Sequence, residues 1–151
     1  MTRPLIWLLG RNESTDEPRH ISLGLAILRV SIGLMMMFGH GLGKLAGFSE
    51  NAAQFPDPFG VGNQVSYALT VFAEFFCSLA LIFGLFTRAV VIPLIVTMLT
   101  AALIIHSDDP WGKKELAVAY LVPLVTILVC GPGRHSLDRI LWWRMSTRRP
   151  R

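Results

Sequence analysis

Residues 65–106 read VSYALTVFAEFFCSLALIFGLFTRAVVIPLIVTMLTAALIIH. Two apolar runs, 65–86 and 89–106, are separated only by Thr87-Arg88. A helix needs about 20 residues to cross roughly 30 Å of hydrocarbon. The first run has that length, and the second is near the lower limit. With so little chain between them, they must fold back as a tight antiparallel helical hairpin. In lipid every backbone polar group has to be paired internally, which makes helix the default. Barrel strands would alternate polar and apolar residues, and this stretch does not.

Outward from the hairpin the pattern repeats. An apolar run at 22–44 precedes it and a shorter one at 116–130 follows. The last must borrow length from Glu115 or from Gly131-Pro132-Gly133, or sit where the bilayer thins. Apolar residues make up 52% of the chain and charged ones only 16%, against a usual charged fraction of about 25%. Mean hydropathy is +0.51. A soluble chain of 151 residues has too little interior to hide that much apolar surface. The expectation is an all-α integral membrane four-helix bundle with short interfacial helices at the termini. It divides into an N-terminal interfacial segment (1–21), a four-helix membrane domain (22–133) and a basic amphipathic tail (134–151). The run at 22–44 is longer than the apolar core of a cleaved leader and contains Arg29, so it reads as a span.

The connections carry further signals. Residues 45–64 hold Gly47, Pro56, Pro58, Gly60 and Gly62 and read as a loop; Phe48, Phe55 and Phe59 lay that loop on the membrane surface. SDDPWGKK at 107–114 is a polar turn with an interfacial Trp111. Beyond Gly131-Pro132-Gly133, the residues Leu137, Ile140, Leu141 and Arg144 fall at helical spacing beside Trp142 and Trp143, as in a helix at headgroup level. Trp7 with its apolar neighbours predicts the same near the N-terminus.

Net charge is +4, yet nucleic acid is not the expected partner. Six of the 14 basic residues lie in the last 18 positions, beside an apolar run, where they mark the cytoplasmic side and attract anionic lipid. With the N-terminus in the cytoplasm, ten Lys/Arg fall inside and three outside, which favours both termini inside. The two cysteines, Cys77 and Cys130, form no C-x-x-C and read as helix-packing residues.

Ionisable groups within a span cost at least about 2.5 kcal/mol near the bilayer centre and are usually paired or functional. The first run carries Arg29, His40 and Lys44, the second Glu74; the third ends at His106 and the fourth begins at Glu115, with Tyr120 further on. Arg29, Gly33, Met36 or Met37, His40 and Lys44 step by three or four residues and share one face. Counted in from the hairpin side, Arg29 and Glu74 differ in depth by somewhat under ~10 Å, which predicts an Arg29–Glu74 ion pair in the bundle interior. His40, His106 and Glu115 share a depth at the other side. Two histidines and a carboxylate there can hold a metal, relay protons or contact a quinone; hydrogen-bonded packing explains them equally well. No H-x-x-x-H or H-E-x-x-H spacing supports a metal, so His40 and His106 are candidates only. Gly33, Gly39, Gly41, Gly43 and Gly47 let helices approach closely.

Taken in order, these features resemble the DoxX family of small bacterial four-helix membrane proteins. The matching residues are Arg29; His40-Gly41-x-x-Lys44; Glu74; Gly84-Leu85-Phe86-Thr87-Arg88; His106; and Gly131-Pro132-Gly133-x-x-Ser136-Leu137-Asp138. The likeness spans roughly residues 23–140. It implies a bacterial inner-membrane protein. It also implies association with redox chemistry, since some members look like subunits of a thiosulfate:quinone oxidoreductase and others associate with thiol-oxidation and superoxide-detoxifying partners. It supplies no agreed catalytic residues. The expected function is a redox-associated subunit linked to quinone, working with a protein partner or as a homo-oligomer. A small proton-coupled transporter and a scaffold without chemistry remain the alternatives. The candidate site is the intramembrane polar set Arg29, His40, Lys44, Glu74, His106 and Glu115.

Overall fold

The computed structural model describes residues 18–147, apart from the side chains of residues 142 and 145–147. The N-terminal interfacial stretch expected around Trp7 and the final arginines Arg148, Arg149 and Arg151 lie outside the described residues. Every regular element that is described is helical.

Three helices are long and apolar enough to cross a membrane: α1 (Arg19–Ala46), α2 (Asn63–Phe83) and α3 (Thr87–Ile105). The fourth, α4 (Trp111–Cys130), has 20 residues. It draws its extra length from Trp111-Gly112-Lys113-Lys114-Glu115, the Glu115 side of the two ends expected to supply it. The three charges there occupy its first turns, where they can reach the headgroup region. Helix α5 (Leu137–Thr147) follows the Gly131-Pro132-Gly133 break. Its Leu137, Ile140, Leu141 and Trp143 are exposed, while Asp138 is buried against the bundle. The expected loop at 45–64 is half helical: α1 runs to Ala46, a short helix covers Phe48–Asn51, and a 3₁₀ turn covers Ala52–Gln54.

The main core is an apolar column of Ile32, Met36, Ala73, Cys77, Leu81, Val91, Leu94, Met98, Ala102, Ala117, Tyr120, Leu124 and Ile127, and a small second cluster of Ala52, Tyr67 and Val71 lies at the loop end. The outer surface is also apolar. Phe38, Leu103, Val122 and Val129 are each more than 60% exposed, a distribution that lipid, not water, accommodates.

Glycine sets the crossing of α1 and α2. A Cβ on Gly33 would fall 2.7 Å from Ile82 Cγ1 and 3.1 Å from the Ser78 carbonyl oxygen; one on Gly41 would fall 2.5 Å from the Glu74 carbonyl oxygen. Helix backbones meet at both points, which only a missing side chain permits. Gly39 and Gly43 face open space and take no part in this packing.

Three of the membrane helices widen into π turns in the same half of the bundle: Met37–Gly41 in α1, Phe72–Cys77 in α2 and Ala101–Ile105 in α3. Such turns are rare and frequently sit at functional sites. They contain His40 and Glu74 and end at His106. The two ends of the bundle are called here the hairpin end, at the Gly84 turn, and the loop end, at residues 47–62 and 107–110.

Candidate functional site

The hairpin end holds Arg29. Its guanidinium donates to the carbonyls of Leu81 (2.8 Å), Ile82 (3.0 Å) and His135 (2.6 Å). Two of these belong to the last turn of α2, whose final carbonyls have no partner within the helix. Gly84 closes that helix with a left-handed φ of +67°, its N–H donating to Leu81 and that of Leu85 to Ala80, the glycine-based stop expected of such an end. A side chain at Gly84 would run into the Arg29 guanidinium.

The neighbouring termini are closed the same way. The Asp138 carboxylate accepts from the backbone N–H of Phe86 (2.6 Å) and of Thr87 (2.8 Å), capping the start of α3 from a different part of the chain. Its own N–H donates to the Gly84 carbonyl (2.9 Å). Phe86 is held at φ +49°, a conformation costly for a residue with a side chain. Arg88 donates to Leu128 (3.1 Å) and Val129 (3.3 Å) at the end of α4. Ser22 in α1 accepts from the N–H of Arg134. Two arginines and one aspartate thus satisfy three helix termini.

The expected Arg29–Glu74 ion pair is therefore corrected. With Gly33 against Ser78 and Ile82 and Gly41 against Glu74, Arg29 lies level with the far end of α2. Its partners Leu81 and Ile82 are seven and eight residues from Glu74, roughly 11 Å of helix axis at ~1.5 Å per residue. The error came from counting both spans in from their apolar limits, which does not fix the register of two helices.

Glu74 pairs instead with Lys44, Nζ to Oε2, at 2.6 Å. The carboxylate is nearly buried, with 5% of its side chain exposed, and Lys44 reaches it from the end of α1 with 27% exposed. The close approach at Gly41 puts Lys44, three residues on, level with the π turn that carries Glu74. His40 rests edge-on against Tyr120 of α4, ring centroids 5.5 Å apart.

A cavity of about 500 Å³ opens beside this pair. Lys44, Glu74 and His106 are the ionisable groups in its wall; the rest is mostly apolar, including Phe72, Ile92 and Val96. Leu69, Phe72, Ile92, Val96 and Phe59 in that wall are 42–58% exposed on the bundle's side, so the cavity opens laterally, toward lipid. Its roof is the 47–62 connection. Tyr67 anchors that roof: its hydroxyl donates to the Lys44 carbonyl (2.9 Å), and Phe48 and Phe55 pack edge-on against its ring. Asp57 accepts from the N–H of Val61 and Gly62 and from the Ser66 hydroxyl. The Ser66 hydrogen bond, with those of the backbone, holds the Asp57 carboxyl below its ordinary range.

The candidate residues thus fall into three groups. Lys44 and Glu74 meet directly, and His106 shares their cavity. His40 packs on Tyr120, and neither is in the cavity wall. Arg29 is at the opposite end, and Glu115 is exposed on α4, outside the wall. As metal candidates His40 and His106 have separate partners, and among the described residues no three His, Cys, Asp or Glu side chains gather closely enough to hold an ion. His106 bonds Asp109, Nδ1 to Oδ2, at 2.7 Å. Asp109, Asp57 and Tyr67 are functional neighbours that the sequence reading did not single out. Only the spacing of Asp109 three residues after His106 hinted at any of them.

The sequence model of the DoxX family matches residues 24–107. A protein of Haemophilus influenzae (strain ATCC 51907 / DSM 11121 / KW20 / Rd), described only as uncharacterized, is 29% identical over 112 residues, covering 69% of this chain and 74% of the relative. The inner membrane protein YqjF of Escherichia coli (strain K12) is 25% identical over 123 residues, covering 79% and 92%. No solved structure matches. The family match takes in α2, α3 and nearly all of α1, and with them Lys44, Glu74 and His106. Since it covers more than half of the sequence, the chain belongs to the DoxX family and is a multi-pass protein of the inner membrane.

Proposed function

We propose that the chain is a redox-associated membrane subunit that binds a quinone in the cavity at the loop end. The observation that carries this reading is a laterally open apolar cavity with one buried ion pair, Lys44–Glu74, in its wall. Its volume falls within the range of about 300–1,000 Å³ usual for small-ligand sites. A lipid-soluble head group entering from the bilayer meets hydrocarbon on most sides and a few polar groups at one place. A bound quinone supplies two-electron, two-proton carrier chemistry.

The chain's own residues supply the rest. The Lys44 ammonium donates to a carbonyl oxygen while keeping Glu74 as counter-ion. Glu74, nearly buried, holds or yields a proton close to the head group. Apolar walls keep bulk water away, which strengthens both interactions. The excess of Lys/Arg at the hairpin side supports cytoplasmic termini and hence a cavity in the outer half of the membrane. A protein partner that delivers or accepts electrons belongs to the same proposal.

The test is titration of purified protein in lipid nanodiscs with a short-chain ubiquinone, followed by calorimetry. Glu74→Gln and Lys44→Met are each expected to weaken binding about tenfold or more, because a hydrogen bond involving a charged group is worth about 1.5–3 kcal/mol. Wild-type protein that takes up no quinone sinks the reading. Proton flux into liposomes that Glu74→Gln abolishes, without quinone binding, would make the chain a carrier. Variants that lose binding only by unfolding would make the cluster a scaffold.

A further inference from the structure

We infer that His106 and Asp109 form the proton port of the cavity, joining its polar end to water beyond the membrane; this rests on the reading of the cavity as a quinone site. His106 occupies the boundary between two media. It belongs to the cavity wall, yet 36% of its side chain is exposed. The π turn Ala101–Ile105 puts it there, closing with the His106 N–H on the Ala101 carbonyl (3.0 Å). The turn that follows brings Asp109 back under the ring, its own N–H donating to the His106 carbonyl (3.2 Å).

The polarity of the pair follows from the chemistry of its partners. Asp109 offers Oδ2 to His106 Nδ1 at 2.7 Å and Oδ1 to the Lys113 ammonium at 2.9 Å. These two contacts, His106 first, keep its carboxyl below the ordinary range. An ionised carboxylate can only accept, so Nδ1 of His106 must carry the hydrogen. Nε2 is then the nitrogen left as a base for the cavity. The charged groups facing His106 are Asp109 and, behind it, Lys113 from the turn and α4, and Lys44 and Glu74 across the cavity. In one cycle Nε2 takes a proton from a group in the cavity. Asp109 stabilises the imidazolium, and Nε2 gives up that same proton to a water molecule at the cavity mouth, where the ring is exposed, so that His106 returns to its Nδ1–H form. Asp109 is accordingly a positioning residue.

Two measurements on the full-length protein in nanodiscs test this. The first is labelling by diethylpyrocarbonate, which attacks unprotonated imidazole, read residue by residue from peptide masses. A short-chain ubiquinone at ten times its dissociation constant should slow labelling of His106 about tenfold by simple occupancy and leave the exposed His20 and His135 unaffected. The second is nitrogen-15 NMR of labelled histidine. The wild type should show His106 with its hydrogen on Nδ1, Asp109→Asn should populate both tautomers, and Asp109→Glu should restore one. Labelling of His106 that ignores bound quinone, or a tautomer that ignores Asp109→Asn, overturns the inference. Failure of the quinone reading shows separately, as no calorimetric binding to the wild type, while the tautomer measurement still decides whether Asp109 sets the ring.

Discussion

The two ends of this bundle use charge in opposite ways. At the hairpin end Arg29, Arg88 and Asp138 are committed to backbone groups of helix termini. At the loop end Lys44 and Glu74 face each other beside an open cavity, with His106 in the same wall. Both arrangements answer the same cost of placing ions away from water. A guanidinium whose Nη atoms bridge three carbonyls is tied to the backbone and has little freedom to do anything else. A lysine and a glutamate that share one contact keep donor and acceptor capacity in reserve, and the cavity gives that capacity something to act on. An intramembrane charge is therefore a weak pointer to function until its partner is known. Arg29, one of the six candidates read from the sequence, is a cap.

Arg29→Met should have the largest effect on folding. It removes three charge-assisted hydrogen bonds and leaves buried carbonyls behind, a loss on the order of 3–5 kcal/mol. Thermal unfolding in detergent should show a large drop in Tm, whereas Glu74→Gln, which keeps the shape of the side chain, should shift Tm much less. Equal losses would erase the distinction between the two ends. Next comes Gly41→Ala. A methyl group at 2.5 Å from the Glu74 carbonyl oxygen forces α1 and α2 apart, at a cost of about 1–3 kcal/mol, and it should weaken quinone binding by separating Lys44 from Glu74. Gly39→Ala meets nothing within 4 Å and should leave both Tm and binding near wild type. Matching behaviour of the two glycine variants would show that the π-turn contact does not set the site.

Acid should produce the smallest effect, read in the two loop-end segments. Asp57 and Asp109 have carboxyls held below the ordinary range in the folded protein, chiefly by the Ser66 hydroxyl and by His106 respectively. For a depressed carboxyl the stabilisation is fully present above the unfolded pKa, about 3.9, and is lost as pH falls through the lower folded value. Amide exchange in the 55–62 and 107–114 segments should therefore rise only below about pH 4. Asp57→Asn should remove that dependence from the first segment and leave it in the second. Exchange that begins to rise near neutral pH would point to a different titrating group.

Much of the architecture was open to reading from the chain alone. Apolar runs of span length, a two-residue break at Thr87-Arg88 and the Gly131-Pro132-Gly133 stop dictate an all-helical membrane bundle, because lipid offers backbone groups no other partners. The amphipathic spacing of 137–144 gave away α5. That Lys44 and His106 lie toward the same end was visible, but Glu74 was assigned to Arg29, because periodicity places residues only on a face of their own helix. What periodicity cannot supply is the register between helices. That was decided where Gly33 and Gly41 let two backbones touch, and three π turns, invisible to a 3.6-residue count, then rotated His40 and Glu74 and placed His106. Which charge meets which, and whether it closes a helix or faces a cavity, depends on those contacts among residues far apart in the chain.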